Sequence, residues 1–114
     1  MAEKREMKRR QLIYYLRVFN MADGSELGHL VDVTTEGALI LTTDPVEPGV
    51  LHTLKIDLFA FMSIEQEIVF KAECVRSEPD VNREYYDSGF RFTGISRKDR
   101  ELIERLIRQF GFDN

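Results

Sequence analysis

The chain has 114 residues, 43% of them hydrophobic and 32% charged, with a net charge of −4 and one cysteine. That length and apolar content describe one domain with its own core and exclude a disordered chain. No run approaches the roughly 18 apolar residues that span a bilayer, and a lone Cys74 excludes an internal disulfide.

The N-terminus is charged from residue 3 and has no apolar signal-peptide core, so a cytoplasmic protein without membrane insertion is expected. Residues 1–10 hold five basic groups (Lys4, Arg5, Lys8, Arg9, Arg10) against Glu3 and Glu6. This segment therefore carries +3 and the other 104 residues −7 of the total of −4. A nucleic-acid binder spreads basic charge over a face. An acidic body with a basic tail instead suits a small anionic partner held locally, or a tail that serves solubility. The expected division is a basic flexible tail over residues 1–11 and a single domain over 12–114.

In chain order, Leu12–Asn20 is aromatic and β-branched and reads as a strand. Asp23-Gly24 signals a hairpin. Leu27–Thr34 follows, with Leu27, His29, Val31 and Val33 on one face and Gly28, Leu30, Asp32 and Thr34 on the other. The hexapeptide Asp32-Val33-Thr34-Thr35-Glu36-Gly37 then connects to a short apolar strand, Ala38–Thr42. Asp and Thr side chains hydrogen-bond local backbone in turns, and a glycine there supplies positive φ. The same residues can instead offer a carboxylate, a hydroxyl and an open N–H to a ligand.

Pro45 and Pro48-Gly49 mark a turn before Leu51–Leu58, where Leu54, Ile56 and Leu58 alternate with polar residues. Phe59–Ile64 is apolar without a period and reads as a loop, a strand edge or a partner-binding patch. In Glu65–Val75, Ile68, Phe70, Ala72 and Cys74 share one face, which makes Cys74 a buried structural thiol. Glu78–Asp87 reads as a long polar loop, and Ser88–Thr93 as a strand with Phe90 and Phe92 inward. Ser96 is an N-cap with Asp99 three residues on, close to a capping box. Leu102, Ile103, Leu106, Ile107 and Phe110 form a helical stripe ended by Gly111. Six short strands and one helix predict a mainly β fold, a small antiparallel barrel or sandwich with a helical flank.

Catalytic and metal motifs are missing. His29 and His52 lie on separate strands without ligand spacing, and His29 reads as a core or barrel-rim histidine. No nucleophile elbow, Walker loop or dinucleotide fingerprint occurs, and Glu65, Glu67, Asp80, Glu84 and Asp87 read as solvated faces. An enzyme is not expected, nor any metal or cofactor.

An arginine-bearing stretch about twenty residues before an Asp-x-Thr-x-x-Gly turn, followed by Gly89-Phe90-Arg91-Phe92 and a terminal helix, resembles the PilZ domain, a bacterial receptor module for cyclic di-GMP. The resemblance covers Lys8 to about Gly111, with Thr34 where that family usually has serine. It implies a six-stranded split β-barrel with a C-terminal helix. The family's Arg-x-x-x-Arg motif is met by Arg5-Glu6-Met7-Lys8-Arg9; taking Arg10 as its first arginine places Tyr14 at the second. The implied ligand-binding residues are Arg5, Arg9, Arg10, Asp32, Thr34 and Gly37. Arginine forks suit phosphates and the O6/N7 edge of guanine, and Asp32 suits guanine N1–H and N2–H2. The implied function is second-messenger signalling: cyclic di-GMP orders the tail, and the change passes to an effector protein. Two alternatives stand beside it. One is a degenerate PilZ-like interaction module that binds no nucleotide. The other is a nucleic-acid barrel stacking bases on Tyr14, Tyr15, Tyr85 and Tyr86, against which the acidic body argues; neither DNA nor RNA is expected as a partner.

Overall fold

The computed structural model describes residues 16–58 and 66–110, the side chain of Phe110 excepted. Six strands and one helix follow in order: β1 Arg17–Asn20, β2 Glu26–Val33, β3 Gly37–Thr42, β4 Leu51–Asp57, β5 Glu67–Pro79, β6 Tyr86–Ile95 and α1 Arg97–Phe110. They close a barrel in the order β1-β2-β3-β6-β5-β4. Every pairing is antiparallel. The residues expected to form strand Leu12–Tyr15, the apolar stretch 59–64 and Gly111 lie outside the described residues. Among those described, no helix is long and apolar enough to cross a membrane.

Alternation dictates the interior. Leu54, Ile56 and Leu58 after β4 meet Ile68, Phe70, Ala72 and Cys74 of β5, all nearly inaccessible to solvent and joined in one core cluster. The ring of Phe92 is only partly buried and packs edge-on against Phe70 at 4.9 Å. Leu102, Ile103, Leu106 and Ile107 of α1 enter the same cluster. Burying each contributes about 1.5–3 kcal/mol. A 14-residue helix is marginal by itself, so this stripe, not intrinsic propensity, holds α1 on the barrel.

Three details depart from the sequence expectations. In β2 the register shifts between Leu30 and Asp32. This bulge at Val31 resets the alternation, so Leu30 and Val33 both reach the core cluster and Asp32 no longer shares a face with Leu30. Second, Glu78–Asp87 is not a long loop. Glu78 pairs with Asp87 and Pro79 with Tyr86, leaving only residues 80–85 to connect β5 to β6. The ladder tolerates polar side chains on this exposed arm, and proline occurs at the strand's last position, where a donor can be spared. Third, Asp99 does not complete a capping box. The Ser96 hydroxyl accepts from Asp99 N–H at 3.1 Å, but the Asp99 carboxylate accepts from Val69 N–H of β5 at 3.4 Å. It ties the helix to the barrel instead of to its own cap.

Buried hydroxyls are satisfied by a directed chain. Thr42 Oγ1 donates to Asp44 O at 2.7 Å, which leaves Ser88 to donate to Thr42 at 3.0 Å and Ser77 to donate to Ser88 at 2.8 Å. Ser77 Oγ in turn accepts from Val46 N–H at 3.0 Å. The hydroxyls of Thr42, Ser77 and Ser88 thus each have partners, as a closed interior requires. Cys74 is fully buried, and desolvation pushes its thiol pKa above the ordinary value. His29 is partly buried in the middle of β2, between Arg17 of β1 and Leu41 of β3, with Nε2 3.7 Å from a Glu26 carboxylate oxygen.

Candidate functional site: the β2–β3 turn

The turn is built by its own side chains. Thr34 N–H donates to Gly37 O at 2.9 Å, and the Thr34 hydroxyl accepts from Glu36 N–H at 3.1 Å and Gly37 N–H at 3.3 Å. Its hydroxyl proton remains available to donate outward. Asp32 Oδ1 accepts from Val33 N–H at 2.9 Å, and Glu36 O accepts from Phe92 N–H at 2.9 Å, which anchors the turn to β6. The hairpin chemistry and the ligand-offering groups therefore coexist in one turn: the oxygen lone pairs stiffen the loop while the Thr34 hydroxyl keeps a proton to donate.

Gly37 is required for a different reason from the one its turn position implies. Positive φ occurs at Gly24 and Gly49, not at Gly37. A Cβ at Gly37 would lie 2.1 Å from Phe90 O, so the residue is fixed by the close approach of β3 to β6. The bulge at Val31 precedes Asp32, and Thr34 lies one residue past the end of β2.

Opposite Gly37 in the ladder is Arg91, whose guanidinium is ion-paired with Glu73. On the other side of the turn lies a cleft of about 280 Å³ with Val33, Thr34 and Thr35 on one wall and Glu104, Ile107 and Arg108 of α1 on the other. Sequence reasoning missed Glu104 and Arg108. Their four-residue spacing flanking Ile107 was visible, but nothing local says that α1 packs against this turn.

Arg5, Arg9 and Arg10 lie outside the described residues. The described chain begins at Leu16, whose carbonyl accepts from Leu30 N–H at 2.9 Å. Leu30 lies two residues before Asp32. Among the described residues, no cluster of His, Cys, Asp and Glu could hold a metal ion.

The chain matches the PilZ domain family over residues 3–109. No curated protein matches it. The solved structures that share its fold include two that name their function. The Bacillus subtilis inhibitor of motility, MotI/DgrA, superposes with a TM-score of 0.68 at 17% identity, over 84% of this chain and 47% of that one. The chain thus spans about half the length of MotI. The PilZ domain of YcgR from Escherichia coli, solved with cyclic di-GMP, gives a TM-score of 0.59 at 18% identity, over 88% of this chain and 85% of that one. A match that takes in nearly every residue, on a closed six-stranded barrel with a terminal helix, leaves one conclusion: this chain belongs to the PilZ domain family.

Proposed function

We propose that the chain is a cyclic di-GMP receptor of the bacterial cytoplasm and not an enzyme. Arg5, Arg9 and Arg10 grip the phosphates and guanine edges from one side. Asp32 accepts from guanine N1–H and N2–H2, while Thr34 and the backbone at Gly37 orient the ligand. Binding draws the N-terminal segment down onto the turn, and the altered surface is read by an effector protein.

The observation that carries this reading is the bond between Leu30 N–H and Leu16 O, which sets Leu16, where the described residues begin, against Leu30, two residues before Asp32. From Leu16 back to Arg10 is six residues, a reach of up to about 20 Å when extended. The arginines therefore need no rearrangement of the barrel to meet a ligand on the turn. The YcgR PilZ domain with its bound cyclic di-GMP has the same barrel fold, which supports the choice of ligand.

Calorimetry tests it. The wild-type chain binds cyclic di-GMP, and Arg9→Ala or Arg10→Ala weakens binding by about 1.5–3 kcal/mol, roughly ten- to a hundredfold, as for a charged hydrogen bond. Unchanged affinity in both variants removes the arginines from the mechanism. The second reading, a PilZ-like module that acts through protein contacts without nucleotide, draws on the turn's self-sufficiency: Thr34 and Asp32 already satisfy its backbone without a ligand. Absence of any binding heat decides for it.

A further inference from the structure

We propose that the cleft between the β2–β3 turn and α1 is a guanine-reading slot of the nucleotide site. In it Glu104 accepts from guanine N1–H and N2–H2, and Arg108 donates to O6 and N7. The inference rests on the reading that the turn binds cyclic di-GMP, and it assigns one of the ligand's two bases to a place outside the Asp-x-Thr-x-x-Gly residues.

The floor and rim of the cleft differ in kind. Val33 and Ile107 are members of the barrel core that also line this cleft. Both are already almost fully buried, so they give a planar base an apolar floor rather than much surface of their own to cover. At the rim stand a carboxylate and a guanidinium four residues apart, hence on the same helix face, with Cβ atoms about 5–6 Å apart. Glu placed N-terminal to Arg at this spacing is the order that normally forms an ion pair. Among the described residues, however, the only ion pair at this spacing on α1 is Arg97 with Glu101, which has the reverse order. Glu104 and Arg108 are both left for a ligand.

Charge narrows the choice of occupant. A bare phosphate would meet Arg108 but be repelled by Glu104. A purely apolar segment would strand both charges. Guanine presents a donor, N1–H, directly beside an acceptor, O6, with N7 beyond it, and this order matches a carboxylate followed by a guanidinium. Adenine presents the reverse, an acceptor N1 beside a donor N6–H2. The slot therefore accepts one purine and rejects the other. On the opposite wall the hydroxyls of Thr34 and Thr35 face the sugar–phosphate side of the base, where the free proton of Thr34 has an acceptor to meet.

The test is calorimetry of the full chain with cyclic di-GMP and with cyclic di-AMP, for the wild type and for Glu104→Gln and Arg108→Met. Arg108 is exposed and Glu104 partly so. Both variants should keep the wild-type melting temperature, which is checked first. Each should lose roughly five- to a hundredfold of cyclic di-GMP affinity, the range for a base-reading pair. Glu104→Gln should also shrink the preference for cyclic di-GMP over cyclic di-AMP, because the amide can rotate to suit either base. If the wild type binds and both variants bind within twofold of it with the same preference, the slot is overturned and the turn site stands. If the wild type binds neither dinucleotide, the receptor reading falls, and the slot falls with it.

Discussion

Replacing Gly37 by alanine separates two explanations of a turn glycine. If the residue were needed for positive φ, asparagine would substitute well, since it enters the left-handed region readily. The structure assigns Gly37 a close-contact role instead. Its added Cβ would fall 2.1 Å from Phe90 O and 3.2 Å from the Phe90 carbonyl carbon, both backbone atoms that no rotamer change can move. Ordinary contact needs about 3.5 Å or more, so β3 and β6 must part by more than 1 Å at the pair Gly37–Arg91. Ladder hydrogen bonds there stretch beyond useful length, and the Glu36 O to Phe92 N–H bond at 2.9 Å goes with them. Overpacking of this kind costs about 1–3 kcal/mol, and each weakened bond about 1 kcal/mol more. The expected loss is therefore about 3 kcal/mol. At a urea slope of about 1–3 kcal/mol per molar, the unfolding midpoint drops by roughly 1–3 M. Gly37→Asn should be at least as damaging. Gly49→Asn is the control: φ is +91° and a Cβ there would meet nothing within 4 Å, so asparagine should cost little. A Gly37→Ala midpoint within about 0.3 M of wild type would refute the close-approach argument, given the slope above.

Three further outcomes follow from the same structure. Cys74, fully buried with its thiol pKa raised by desolvation, should resist a disulfide-exchange reagent in the native state and react at once in denaturant; rapid native labelling would contradict its placement. The Asp23 carboxylate accepts from Ser25 N–H at 3.0 Å and from the Ser25 hydroxyl at 2.7 Å, which holds its pKa below the ordinary 3.8. Because the folded value is the lower one, this turn's contribution is fully present above about pH 4 and is lost as pH falls through the folded pKa. Carbon-detected NMR titration should show the carboxyl midpoint below 3.8, and Ser25→Ala should move it upward. Ser88→Val should destabilise the fold by about 1–3 kcal/mol in thermal unfolding, because it takes away the acceptor of the Ser77 hydroxyl and the donor to Thr42. An unchanged melting temperature would show that the hydroxyl chain is dispensable.

Elements with strong local periodicity are legible in the sequence alone. The alternation through Leu54, Ile56 and Leu58, its partner through Ile68, Phe70, Ala72 and Cys74, and the stripe Leu102–Ile107 each state their buried face directly. What was not legible depends on partners far along the chain. A bulge at Val31 leaves no mark in the sequence, because no glycine or proline announces it and both phases offer apolar residues. The β5–β6 arm was hidden because its residues face solvent and resemble a loop in composition. Gly37 looked like a turn glycine because only β6, more than fifty residues on, reveals the crowding. At the site, Asp32, Thr34 and Gly37 could be picked from the sequence because their spacing is local. Glu104 and Arg108 could not, since their approach to Thr34 and Thr35 exists only once α1 has packed on the barrel.

The most direct test of the receptor account is an NMR titration of the isotope-labelled chain with cyclic di-GMP, followed at the amides of residues 1–10 and of Asp32–Gly37. Both sets should shift together and saturate at one affinity, and Arg9→Ala and Arg10→Ala should each move that affinity to higher concentration. Resonances of both sets that stay in place at millimolar nucleotide would contradict the account and leave a PilZ-family barrel that works through protein contacts alone.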